Sequence, residues 1–459
     1  MQPGDLLDLD VTDVAHGGVF VARHEGRVVF VEGAIPGERV RAVLTDTSKS
    51  AFWRADVVEV RDASAHRRPH VWAAADVSVP PADRPGGADF GHIDLDEQRV
   101  LKKKVLDDAL ARFGGIAEPV TSISAAGASG AAEDADALHW RTRVSLHVDD
   151  EGRIGPFAAR SHRVIETPDL PLAVTAIDEV ARGLEGFGPG RVDLVQPSEG
   201  GVRVIVRPAA PARSRADATG DGGHSSRGRG GRGGARRGPA VRAARPTRPL
   251  EDPTAREVVT EIVGERRFAV DAGGFWQVHR LAAATLTSAV QAALETAGGV
   301  DPAAHHLDLY GGVGLFAAAI AETGGPATRV TTVESDARAT GHAGANLAEW
   351  VGARAETARA DRYLATLAAQ ASAAERARLA RGVVLLDPPR AGAGREVVDR
   401  IAGLGPASVV YVACDPVALA RDLGTFRGHG YEPLRIDAFD LFPYSHHVEA
   451  VAVLTRPAG

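Results

Sequence analysis

The sequence predicts an α/β protein whose C-terminal part is a Rossmann-like parallel sheet with helices on both faces, preceded by a small OB-like β-barrel and a mixed α+β region. Three observations carry this prediction. From about Thr254 onward, apolar strand-like runs alternate with helical stretches, the pattern of a covered parallel sheet. Near the N-terminus, short alternating runs follow one another with turn residues between them, as in a small closed barrel. The stretch between mixes strand-like runs with helical ones. The expected division is 1–60 for the barrel, 61–253 for the central region and 254–459 for the sheet domain.

The totals narrow the class. A chain of 459 residues with 44% hydrophobic and 25% charged residues is an ordinary soluble protein with room for two or three domains. Its one cysteine excludes an intrachain disulfide and any four-cysteine zinc or iron–sulfur site, which points to a reducing, cytoplasmic setting. No apolar stretch is long enough to span a bilayer and no signal-peptide pattern opens the chain, so no membrane association is expected. The net charge of −7 means that any nucleic-acid partner must be met by a local basic surface. Nothing in the sequence demands more than a monomer.

In the barrel, the runs are Leu6 to Val11, Val19 to Arg23, Arg27 to Val31, Glu38 to Leu44 and Phe52 to Val60, separated by Gly17-Gly18, Glu25-Gly26 and Gly33 to Gly37. Barrels of this type often bind RNA on an open face. His66 to Gly91 is rich in Pro, Gly and Ala and reads as an irregular connection. Asp94 with Glu97 then has the form of a capping box, and Leu106, Leu110 and Phe113 lie at helical spacing. Lys102 to Lys104 on that helix read as a solvated face that could also touch phosphate. Arg141 to Val148 and Val202 to Val206 are strand-like, and the Arg/Gly-rich stretch 213–249 has too little apolar surface to fold. It is expected to be a disordered basic insertion, a passive linker or an electrostatic contact for RNA.

The sheet domain carries the chemistry. His305 to Tyr310 leads into Gly311-Gly312-Val313-Gly314, a strand-to-helix turn whose glycines let backbone approach a ligand at the carboxyl end of the strand. Val330 to Val333 ends in Glu334, placed to accept both hydroxyls of a ribose, and Asp361 follows the next strand-like piece. Either acid could equally be a surface residue or a cap. Val383 to Leu386 runs into Asp387-Pro388-Pro389-Arg390, where two prolines end the strand. Val409 to Ala413 delivers the sole cysteine, Cys414, to the start of a helix that Asp415 and Pro416 are suited to open. A thiol beside a helix N-terminus is expected to have its thiolate favoured, making a soft nucleophile, although a lone cysteine is often a small apolar filler.

Together DLYGGVG, VESD, LLDPPR and ACDP resemble the S-adenosylmethionine-dependent RNA 5-methyluridine methyltransferase family. The resemblance continues in Phe275-Trp276-Gln277-Val278-His279 and in Phe442-Pro443-Tyr444-Ser445-His446-His447-Val448-Glu449, while the glycine pattern of residues 1–60 resembles the RNA-binding TRAM domain. It implies a class I methyltransferase fold, S-adenosylmethionine as cofactor and structured ribosomal or transfer RNA as partner. Cys414 matches the family's nucleophile and Glu449 the base that removes the C5 proton. Gln277, Gly312, Gly314, Glu334, Asp361 and Asp387 match cofactor-binding positions, and Phe275, Phe442 or Tyr444 could stack on a uridine drawn from its helix.

Three departures stand out. Gly86 to His92 lacks the cysteines that hold an iron–sulfur cluster in many relatives, Gly311 replaces a cysteine, and His279 replaces an asparagine. No metal is expected, although His446, His447 and Glu449 are metal-ligand residue types. Two other readings share these features: a catalytically degenerate RNA-binding protein, and a cytidine-C5 methyltransferase, which also places a thiolate on C6.

Overall fold

The computed structural model describes residues 1–117, 122–128, 131–209 and 252–456. The Arg/Gly-rich insertion 213–249 lies outside the described residues. Strands β1 (Leu6–Ala15), β2 (Val19–His24), β3 (Arg27–Glu32), β4 (Arg39–Asp46) and β5 (Phe52–Asp62) close a barrel in the order β1-β2-β3-β5-β4. Alternation drives it: Leu7, Leu9 and Val11 face the interior while their neighbours face water. Each strand runs slightly beyond its apolar stretch.

Helix α1 (Leu95–Ala109) starts where Asp94 accepts a hydrogen bond from the Glu97 amide at 2.9 Å. A π turn over Leu110–Gly114 follows and shifts the register of the last residues. Leu106 and Leu110 are buried, but Phe113 is 49% exposed, with Arg421 over its ring, rather than on the apolar face that its spacing predicts. The lysine cluster also divides. Lys103 and Lys104 are exposed in part, whereas Lys102 is fully buried, donating to Asp440 Oδ1 at 2.5 Å and to the Phe442 carbonyl at 3.0 Å. A solvated face therefore misdescribes Lys102: its charge locks α1 to the segment that leads to Glu449.

The central region contributes β6 (Ile123–Ala125), β7 (Gly127–Ala128), β8 (Ala131–Ala132), β9 (Arg143–Val148), β10 (Ile154–Gly155), α2 (Thr175–Arg182), β11 (Gly190–Val195) and β12 (Arg203–Pro208). Four of these form a sheet in the order β10-β9-β11-β12. In the C-terminal part, β13 (Val258–Val263) and β14 (Arg266–Asp271) pair as a hairpin before α3 (Ala282–Thr296).

Next come β15 (His306–Leu309), α4 (Leu315–Gly324), β16 (Val330–Glu334), α5 (Ala337–Asn346), β17 (Ala353–Thr357), α6 (Ala360–Gln370) and α7 (Ala373–Ala380). The chain ends with β18 (Val383–Leu386), α8 (Arg395–Leu404), β19 (Ser408–Ala413), α9 (Pro416–Gly428), β20 (Glu432–Asp440) and β21 (Glu449–Thr455).

These strands form one sheet in the order β17-β16-β15-β18-β19-β21-β20-β6, with an apolar core on each face. The first five are parallel, and β21 inserts antiparallel beside β19 with Ala413 opposite Ala450. That reversal has a direct consequence. The carboxyl ends of β15, β16, β18 and β19 and the amino end of β21 meet at one edge, so Glu334, Asp387, Cys414 and Glu449 share it. β6 reaches across from the central region to pair with β20, which ties the two parts together.

Candidate active site

A cleft of about 1440 Å³ opens along that edge. Its walls include Phe275, Gln277, Gly312, Glu334, Asp361, Asp387, Cys414, Phe442 and Glu449, drawn from separate strands and loops. The loops are held from behind. Arg143 donates to the Gly274 carbonyl at 2.7 Å and Thr142 Oγ1 to the Val278 carbonyl at 3.0 Å, so a strand of the central region fixes the Phe275 to Gln277 segment. The buried Asp422 accepts from the Ala393 amide at 2.7 Å and from the Tyr411 hydroxyl at 2.6 Å, anchoring the loop after Arg390. Phe275 is 73% exposed, a large aromatic face turned to solvent at the rim.

At the glycine turn, Gly312 has φ 54° and open space where a Cβ would lie, and its amide donates to Glu334 Oε2 at 3.3 Å. Glu334 Oε1 accepts from the Asp336 amide at 2.9 Å. Gly314 does not line the cleft; at φ 90° it caps α4 and packs against Leu347, so its role is backbone shape rather than ligand contact. Gly311 is constrained more tightly, since a Cβ there would fall 1.9 Å from Thr332 Oγ1. Asp361 pairs with Arg359 at 3.0 Å, and that guanidinium holds its carboxyl below the usual range.

The opposite end of the cleft is drier. Glu449 is only 5% exposed; burial first, then Asp387, raises its carboxyl well above the usual range, while Arg390 opposes. Asp387 is pushed up to about 7 by burial and by Asp308. Cys414 is half-buried and its thiol is pushed up to about 12, by burial first and then by Glu449 and Asp387. This corrects the expectation of a favoured thiolate. Asp415 caps α9 by accepting from the Val417 and Ala418 amides at 3.0 and 2.8 Å, so these helix donors serve a carboxylate and not the sulfur.

Tyr444 is also corrected. It is buried, its hydroxyl donates to the Asp136 carbonyl, and it lies outside the cleft, so it buttresses the closing loop and cannot stack on a base. Phe442 is packed edge-on against Trp140 at 6.0 Å and keeps part of its ring on the cleft. His279 stacks on Trp140 at 5.3 Å, and burial pushes its pKa down to about 4. His446 Nδ1 lies 2.6 Å from Asp89 and His447 Nε2 accepts from Arg390 at 3.2 Å. Among the described residues no cluster of three or more His, Cys, Asp or Glu could hold a metal.

Residues 281–457 match the tRNA (uracil-5-)-methyltransferase family and residues 2–58 match the TRAM domain. An uncharacterized RNA methyltransferase of Streptomyces avermitilis is 37% identical over 99% of each chain. A Halomonas elongata protein named 23S rRNA (uracil(1939)-C(5))-methyltransferase is 31% identical, covering 98% of this chain and 89% of its own. The chain belongs to the RNA uracil-C5 methyltransferase family. The crystal structure of a Pyrococcus abyssi tRNA (uracil-54, C5)-methyltransferase shares the fold, with a TM-score of 0.61 at 18% identity, covering 98% of this chain and all of that one.

Some site residues of this family member were not evident from sequence. Asp308 is fully buried in β15 and pushed up to about 7 by burial, with Oδ1 unpartnered among the described contacts. The signal was present: a charge inside the apolar strand His306–Leu309 needs a reason. Tyr310 lines the cleft at φ 62°, a strained conformation for a bulky residue. Arg390, quoted only as part of a motif, lies beside both the thiol and Glu449.

Proposed function

We propose that this enzyme methylates C5 of a uridine in structured RNA through a covalent bond between Cys414 Sγ and uracil C6. The observation that carries the proposal is the convergence of the sole cysteine with Asp387 and Glu449 at one dry end of a long cleft. Uracil C5 is a weak nucleophile, and thiolate addition at C6 moves electrons onto C5 and the C4 carbonyl as an enolate. S-adenosylmethionine, when bound, supplies a methyl carbon on a sulfonium. The cleft fits such a ligand: Gly312 leaves room for close backbone approach, and Gln277, Glu334, Asp361 and Asp387 line the same cleft as hydrogen-bonding groups.

Proton transfer then falls to the chain's own groups. Asp387, close enough to raise the thiol's pKa, is the neighbour that takes the Cys414 proton. Glu449, with its raised pKa, removes the proton from C5, and elimination expels Cys414 Sγ to restore the ring. Phe275 and Phe442 offer the faces on which an extruded base can stack. Ribosomal RNA is the favoured substrate class, because relatives named for 23S rRNA match across nearly the whole chain.

The test is nucleoside mass spectrometry of ribosomal and transfer RNA with and without the gene. Loss of 5-methyluridine from the ribosomal fraction is expected; unchanged 5-methyluridine in both fractions would overturn the reading. In vitro, Cys414→Ala should abolish methyl transfer, and Glu449→Gln should accumulate a protein–RNA adduct that survives denaturing electrophoresis.

A further inference from the structure

A second, smaller pocket of about 120 Å³ lies on the far side of the nucleophile and shares Arg390, Cys414 and His447 with the main cleft. Part of its wall is foreign to the sheet domain. Ala15, His16, Gly17 and Gly18, the turn between β1 and β2 of the barrel, close it. The seam is tight, since a Cβ on Gly18 would come within 2.3 Å of Asp89 Oδ2 and 2.9 Å of the His446 Cβ. Across this seam His16 Nε2 lies 3.3 Å from Asp415 Oδ2. Asp415 is already engaged through Oδ1, which caps α9 at the residue after the nucleophile. One carboxylate thus joins three things: the barrel, the start of α9 and Cys414.

We propose that His16 is a positioning residue for the nucleophile, holding the Asp415 carboxylate on the α9 cap and offsetting its negative charge beside the Cys414 thiol. The inference rests on Cys414 being the reacting group. It gives the barrel a part in preparing the site as well as any part in gripping RNA. The electrostatics agree in sign. Asp415 is one of the carboxylates that push the thiol up, and Asp415 in turn draws the His16 imidazole above its usual pKa. The other charged or titratable groups around the two residues are Arg421 on α9, Lys102 on α1, and Arg390, His446 and His447 on the adjoining loops; Glu449 and Asp387 face the thiol from the cleft. Lys102 is committed to Asp440 and His446 to Asp89, which leaves His16 as the group paired with Asp415.

Because the chain has one cysteine, alkylation of the full-length protein by iodoacetamide reports on Cys414 alone. His16→Gln keeps a polar side chain and removes the charge. It should slow alkylation roughly fivefold near neutral pH, as a shift of somewhat under one pKa unit in the thiol requires, with the difference shrinking toward pH 9 as the wild-type imidazole loses its charge and the melting temperature unchanged. Asp415→Asn, which still caps a helix, should speed alkylation. In that background His16→Gln should have no further effect. Equal alkylation rates for wild type and His16→Gln, or an undiminished His16 effect in the Asp415→Asn protein, would overturn the proposal. Alkylation needs neither RNA nor methyl transfer, so a failure of the proposed reaction would be seen separately. A loss of RNA affinity in His16→Gln with normal alkylation would instead make His16 an RNA contact and overturn the positioning role.

Discussion

The two ends of the cleft are built from the same kind of group, carboxylates at or beyond the ends of strands along one sheet edge, and behave in opposite ways. At the glycine-turn end, Glu334 is held by backbone amides and Asp361 by Arg359, both partly open to water. At the thiol end, burial and Asp308 raise Asp387, burial and Asp387 raise Glu449, and Arg390 opposes only the shift at Glu449. Arg359 holds Asp361 below the usual carboxylate range, and both acids are placed to accept hydrogen bonds from neutral hydroxyl or amino groups. Burial and repulsion make the second set hold protons near neutrality, which suits groups that must give and take them. Placement along one sheet edge is shared; solvent access separates binding from proton transfer.

The largest expected effect comes from breaking the dry end. Asp387→Asn should lower kcat by about a hundredfold or more, the usual scale for losing a proton-transfer group. It should also stabilise the protein at pH 8. The sign follows from linkage: an unfolded Asp loses its proton near its ordinary pKa, whereas folded Asp387 keeps it to about 7. Between those values the native state binds more protons, so stability falls as pH rises through the window and stays lowered above it. Removing the ionisable group should recover on the order of 4 kcal/mol at pH 8, about three pKa units at about 1.4 kcal/mol each, and only about half a kcal/mol at pH 4, where folded Asp387 is protonated and an unfolded Asp is about half so. Paired thermal melts at the two pH values measure this, and a wild-type kcat profile should rise with pH through about 7. A variant that loses activity without gaining stability at pH 8 would show that Asp387 is not strained by its surroundings.

At the wet end the balance reverses. Glu334→Gln should weaken S-adenosylmethionine binding about tenfold, the scale of one charge-assisted hydrogen bond, measured by calorimetry. It should also loosen the turn at Gly312 without any gain in stability, since Glu334 accepts donors that the glutamine would satisfy less well.

Much of this was legible before the structure, and the limits have physical causes. Strands buried on both faces announce themselves as unbroken apolar runs, so Val383–Leu386 was read to the residue and β19 to within one. The edge position of Glu449 depends on β21 running antiparallel to β19. Lys102 was misread because its partner Asp440 is 338 residues away, and helical spacing cannot distinguish a solvated lysine from one buried on a distant acid. Phe113 was misplaced because a single π turn rotates everything after it. The thiol was misjudged for a related reason: sequence shows that a helix begins at Pro416, but not that Asp415 takes its amides. β6, three residues long, joins a sheet whose other strands lie far along the chain, and no local pattern could assign it there.

The smallest effect tests the comparison most closely. Asp361 resembles Asp387 in residue type, in its place after a strand and in lining the same cleft. It differs in having Arg359 and water beside it, which lower its pKa where Asp387's is raised. If solvent access is what divides binding from proton transfer, Asp361→Asn should leave kcat and its pH profile unchanged and weaken S-adenosylmethionine binding only about twofold, as expected of an exposed, screened charge. Raising salt should shrink even that difference, while the Asp387→Asn defect should persist, because mobile ions reach the first carboxylate and not the second. A salt-independent loss of kcat in Asp361→Asn would place proton chemistry at the wet end and dissolve the division between the two halves of the cleft.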